Sequence, residues 1–298
     1  MMSEPNYNEP FPFTLRLSSE KLGKYMDMHD MVMMMAESHA LFDKTFGVLS
    51  GQRRLSSQKR KDFQVIVKDM KQGSLLLYAD IVVSGINVAL PIIGLANPYT
   101  VWEYTRAGFQ LLKALYTVST ANASQQPEYP RISTGENGMV IVVSGNNNTM
   151  TFPAPVLDIA ARSRINYRRI SNMMSSDGIT QLQLNSESLP NSEPITLSVA
   201  DQGLFEPTTF LEPSPVTFIA DLYKFDKETS TGRLHVIASD VLLKGDYAFS
   251  VIGNQDLALY IDSMKESQVS LTALTENTLD PIHGRRIVRL QVISVNFP

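Results

Sequence analysis

Cysteine is absent from the 298 residues, which excludes disulfides, zinc–thiolate centres and cysteine nucleophiles and suits a cytoplasmic protein. Neither sign of charge dominates: 26 Lys and Arg stand against 30 Asp and Glu, a net charge of −4, so the chain carries no overall polyanion-binding footprint. Long hydrophobic runs are missing as well. Residues 81–96 are uncharged and mostly apolar, but Gly85, Asn87, Pro91 and Gly94 interrupt them. A bilayer span needs about 20 apolar residues in an unbroken helix, so a buried strand, a turn and a helix start are expected there, with no membrane partner. Residues 1–13 hold neither a basic segment nor an apolar core; no secretory leader is expected, and 1–10 read as a flexible tail. No G-x-S-x-G, P-loop or G-x-G-x-x-G occurs, so no catalytic residue and no cofactor is assigned.

What is present is ordinary globular material, 43% hydrophobic and 19% charged, at a length that suits one or two domains. Alternation over 11–17 (FPFTLRL) predicts a first strand, with Ser18 and Ser19 as caps for a helix over 21–46. Met26, Met28, Met31, Met33, Met34 and Met35 dominate that helix as adaptable core residues, and Gly47 and Gly51 end it. A basic connection, GQRRLSSQKRKD, leads to a hairpin over 63–68 and 75–83. Asn97 and Pro98 start a second helix that runs to about residue 120, with Val101, Thr105, Gly108, Leu112 and Leu115 on one stripe. A loop over 122–138, a hairpin around GNNN, a third helix over 155–174 and two strands (ITQLQL, PITLSVA) complete an α+β body over 11–203, in which helices alternate with hairpins. Three prolines in 204–215 (LFEPTTFLEPSP) predict a linker.

From residue 216 the pattern changes to short strands: 216–226, 232–240 and 247–253, a short helix over 254–264, then strands 267–276 and 284–297. Three strands, a helix and two strands over 216–298 predict a small OB-like five-stranded β-barrel, since closure removes exposed edges. In that order ligands lie on the second and third strands, between loops 226–232 and 276–284, which points to Arg233, His235, Tyr247, Phe249, His283 and Arg285.

Two basic clusters stand out in the body. Arg53, Arg54, Lys59, Arg60 and Lys61, extended by Lys68 and Lys71, precede and enter the first hairpin, and Arg162, Arg164, Arg168 and Arg169 share a helix. Together they are candidates for phosphate contacts with nucleic acid. His29–Asp30 and the His39/Asp43 pair lack a third ligand segment, so no metal site is assigned.

The segments RLSSEKLGKYMDMHDMV, FQVIVKDMKQGSLLLYADIVV and NYRRISNMMSSDGITQLQL, followed by the small barrel, are similar to uncharacterised bacterial and phage two-domain proteins. That resemblance implies a bacterial cytoplasmic setting, such as phage defence, and no residue roles. The expected function is a non-enzymatic binding or assembly protein that recognises nucleic acid, a nucleotide-like ligand or another protein. The alternatives are a metal-dependent phosphodiesterase or nuclease in which His29, His39, His235 or His283 converge, and a structural subunit of a homo-oligomer.

Overall fold

The computed structural model describes residues 9–19, 27–53, 55–57, 59–71, 75–83, 89–90, 94–95, 97–121, 131–135, 140–144, 148–186, 188–189 and 192–297. The chain divides into two compact units, Met1–Glu206 and Pro207–Pro298. Among the described residues no helix is long and apolar enough to cross a membrane.

The first unit opens with β1 (Phe11–Ser18), whose alternation buries Phe11, Phe13, Leu15 and Leu17 on one face. Then come α1 (Met28–Leu49), α2 (Lys59–Asp62), β2 (Phe63–Lys71), β3 (Leu75–Val83), the short pair β4 (Ala89–Leu90) and β5 (Gly94–Leu95), and α3 (Pro98–Ala121). β6 (Arg131–Thr134), β7 (Val140–Ser144) and β8 (Asn148–Phe152) form a three-stranded sheet, and α4 (Pro155–Met173), β9 (Gln181–Asn185) and β10 (Ile195–Ser198) follow. The main sheet is antiparallel in the order β10–β9–β1–β3–β2. β1 is therefore central although it comes first in the chain.

The rings of β1 meet the helices. Phe13 lies 5.0 Å from Phe42 of α1, and the fully buried Trp102 of α3 lies 5.8 Å from Phe13 and 6.1 Å from Phe42. α1 begins later than its methionines suggest. Asp27 caps it by accepting from the His29 amide at 2.6 Å, and the earlier part of the expected helix, 21–26, lies outside the described residues. Gly47 sits inside the helix; the turn ends beyond Ser50, where Gly51 takes the left-handed φ of 69°. Residues 204–215, expected as a linker, contain the boundary between the two units after Glu206 and have partners on each side of it. Phe205 is buried against Tyr116 of α3 and Tyr167 of α4, and β11 (Thr208–Leu211) pairs with a later strand. The prolines bracket an edge strand, where a missing N–H costs no ladder bond.

The second unit contains β11, β12 (Val216–Asp226), β13 (Thr231–Ala238), β14 (Gly245–Val251), α5 (Leu257–Ser263), β15 (Val269–Asp280) and β16 (Gly284–Asn296). β12, β13, β14, β16 and β15 close into a five-stranded mixed barrel, with β14 and β16 parallel and the other pairs antiparallel. β11 adds to the outside of β15. Inside, Phe225 and Phe249 stack at 6.0 Å with planes 6° apart, and Tyr260 of α5 lies 5.4 Å from Phe225. Gly232 stands between the two phenylalanines in register. A Cβ there would lie 2.5 Å from the Phe249 ring and 2.3 Å from the Lys224 carbonyl oxygen, so glycine is required by space.

Two outcomes test this core. Gly232→Ala should destabilise the barrel by about 3 kcal/mol, the upper range for overpacking a filled core, read from denaturant unfolding. Burial raises the Tyr260 phenol to about 12, above its ordinary value, so the folded state holds the proton more tightly than the unfolded chain. Stability from this group is full below pH 10 and is lost as pH rises through 12. Tyr260→Phe should flatten that part of the unfolding pH profile.

Candidate binding face of the barrel

Strand β12 alternates regularly through Phe218, Ala220 and Leu222, all buried, and then slips. A bulge between Leu222 and Lys224 lets Phe225 turn inward and leaves both Tyr223 and Lys224 exposed. Tyr223 is 49% exposed on this face. Lys224 pairs in register with the exposed Arg233 of β13, whose other neighbour, Ala248 of β14, is small. One row further along, His235 lies between Asp221 and Asp246, its Nδ1 2.8 Å from Asp246 Oδ1. The face therefore presents one ring, two cations and a histidine held among carboxylates.

The loops beside it are ordered by side chains. Asp226 accepts from the Glu228 amide at 2.9 Å and the Thr229 amide at 3.4 Å. These bonds, the Glu228 one first, hold its carboxyl below the usual range. Between β13 and β14, Ser239 Oγ accepts from the Val241 and Leu242 amides, and the Tyr247 hydroxyl donates to the Leu243 carbonyl at 3.0 Å. In the β15–β16 turn, Asp280 accepts from the Ile282 and His283 amides.

Of the barrel residues singled out by the sequence, Arg233 and His235 are on the exposed face. Phe249 is not: it points inward and is buried in the aromatic stack. Tyr247 packs partly against the core. His283 is exposed in its turn, while Arg285 donates to Glu212 at 2.6 Å and Asn277 at 3.0 Å and lies over the Phe210 ring. Tyr223 and Lys224 were missed. The signal was present as Lys224 at a position due to be buried, followed by Phe225 at one due to be exposed.

The arginines of α4 have mostly structural partners. Arg162 pairs with Asp158 at 2.8 Å and donates to the Gln52 carbonyl at 2.7 Å, which brings it beside Arg53. Arg164 donates to the Tyr116 hydroxyl at 3.2 Å, and Arg169 to the buried Glu37 at 2.9 Å. Glu37 also accepts from Asn166 at 2.6 Å, and Lys44 donates to the Arg162 carbonyl at 2.6 Å and to Asn166 Oδ1. Burial lowers the Lys44 pKa; Glu37 opposes that shift and Arg169 adds to it. Arg168 is half-buried. In the first cluster, Arg53 and Lys61 are exposed and Arg60 lies 3.7 Å from Asp43; Arg54 and the Lys59 side chain lie outside the described residues. His39 also lies 3.7 Å from Asp43, and among the described residues no group of three or more His, Asp or Glu is placed to hold a metal ion.

No protein-family model, curated protein or solved structure matches the chain. The roles of its residues therefore rest on geometry alone.

The buried network separates structural from surface arginines. Glu37→Ala, which strands the Asn166 amide and the Arg169 guanidinium, should cost about 3 kcal/mol in denaturant unfolding. Arg168→Ala should stay within about 0.5 kcal/mol of the parent.

Proposed function

We propose that the barrel is of OB type and that its β12–β13–β14 face binds single-stranded nucleic acid, in a protein that works by binding and not by catalysis. The ring order β12–β13–β14–β16–β15, with a helix between the third and fourth strands, supports the OB reading. In that architecture the second and third strands are the usual ligand surface, here β13 and β14. The observation that carries the ligand class is the β12 bulge, which leaves Lys224 exposed next to the outward Tyr223 and in register with Arg233. An exposed ring stacks on any base, and adjacent ammonium and guanidinium groups meet phosphates. With Phe249 committed to the core, Tyr223 supplies the stacking surface.

Asp221 and Asp246 keep the face from being uniformly basic, so few phosphates are neutralised and the affinity is modest. Two contacts correspond to a slope of about −1.4 in log affinity against log salt for a single strand. The test is fluorescence anisotropy of a labelled oligothymidylate of about ten nucleotides over a salt series. Tyr223→Ala and Arg233→Ala should each weaken binding about tenfold, in keeping with the loss of one stacked base. Absence of binding at low salt, or affinity unchanged in both variants, overturns the proposal.

A further inference from the structure

The first basic cluster lies in the first unit, and its surroundings there point to a different ligand. It leads directly into β2, the outermost strand of the main sheet. Among the described residues no strand pairs with the outer side of β2.

The two faces of this edge differ in chemistry. On the helix face, Val65 and Val67 of β2 pair with Ile81 and Ala79 of β3. There they line a groove of about 240 Å³ with Met35, Ala36 and His39 of α1. Val67 is 48% exposed in this groove, and the Ser38 hydroxyl, on a residue 2% exposed, lies in its wall without a hydrogen-bond partner. On the opposite face stand the exposed Ile66 and Asp69, with Lys68, which pairs with Asp80, and Lys71, which lies over the Tyr78 ring at 4.9 Å. Arg60 marks one end of the groove, since it reaches the same Asp43 that His39 approaches. Over residues 53–71 seven Lys and Arg stand against two Asp, and Asp43 and Asp80, the partners of Arg60 and Lys68, bring the surplus to three positive charges.

We infer that the β2 edge is a docking strand for an extended peptide of a partner protein in which apolar and acidic residues alternate. Such a peptide adds to the sheet through main-chain hydrogen bonds. Its apolar side chains enter the groove beside Val65 and Val67, and its acidic side chains reach Lys61 before the regular stretch and Lys68 and Lys71 after it. The period of two in a strand makes the alternation the matching pattern. A second copy of this chain is a poor occupant, because two edges with the same positive surplus repel. A nucleic acid leaves the apolar groove empty.

The experiment uses the full chain and a fluorescein-labelled ten-residue peptide alternating Glu with Val and Leu, compared by anisotropy with a counterpart in which Lys replaces Glu. The acidic peptide should bind at least tenfold more tightly than the lysine peptide. Val67→Asp should weaken it at least tenfold, and the Lys61→Glu/Lys71→Glu double variant at least fivefold at low salt. Hydrogen exchange of the amides over 63–67 should slow when the acidic peptide is added, a readout that holds even where Val67→Asp does not fold. Equal binding of both peptides, no binding, or unchanged exchange over 63–67 overturns the inference. So does displacement of the peptide by oligothymidylate, or a dimer of the chain by light scattering that the double variant dissolves. Loss of oligothymidylate binding in Tyr223→Ala with peptide binding intact keeps the two surfaces distinct.

Discussion

The second unit depends on a missing side chain. Phe225, Gly232 and Phe249 share one row across β12, β13 and β14, and the two rings meet over the space that a Cβ on the middle strand would fill. Tyr260 of α5 joins the stack, so the short helix is fastened to the barrel by the same contact. For Phe225 to point inward after Leu222, the strand must slip by one residue, and the bulge is that slip. Its by-product is that Lys224 is left exposed next to the outward Tyr223. The core and the candidate face therefore have one cause: a strand that kept strict alternation would bury Lys224 and expose Phe225, losing both.

In the first unit the organising feature is β1. A strand at one end of the sequence takes the middle of the sheet, so the core cannot form before Phe13 meets Phe42 and Trp102, far along the chain. Polar groups between α1 and α4 are buried with their partners supplied: Glu37, Lys44, Asn166 and Arg169 satisfy one another. Such a network adds little net stability but is costly to break, and it fixes how the two helices pair. It also explains why a run of arginines on one helix is a weak sign of nucleic-acid binding. Charge in a sequence is counted per residue, whereas availability depends on partners such as Glu37, Asp158 and the Gln52 carbonyl, none of them near in number to the residues they engage, except Asp158.

The strand pattern of the barrel was legible because each strand alternates and each is bounded by turn residues, so periodicity alone recovers the segments over 216–297. The first strand, the first hairpin and the helices over 98–121 and 155–173 were legible for the same reason. What failed was long-range or one-residue in scale. The segment 204–215 read as a linker from its prolines and does contain the unit boundary after Glu206, but no local pattern announces the partners of Phe205 and β11. Phe249 was assigned to the ligand face because the inward side of β14 has to be inferred from its neighbours, and Gly232 opposite it is the clue to its direction. The start of the first helix was placed at the serines after β1, but Asp27 accepts the amide that defines the cap.

The two candidate surfaces exploit different things that β-structure leaves unpaired. A closed barrel has no free backbone, so its outer face selects through side chains alone, and its affinity follows the charges and rings that alternation and bulges expose. The main sheet has an edge, and there the backbone itself is the ligand-binding group while side chains set the preference. An open edge also invites unwanted pairing. β2 carries a bulge between Val67 and Asp69, with Lys68 at the irregular position drawn to Asp80 on the next strand. The bend and the lysine interrupt the edge after its first five residues. What stays regular is the stretch over 63–67 beside the apolar groove, long enough for a short strand to add and too short to template an indefinite sheet.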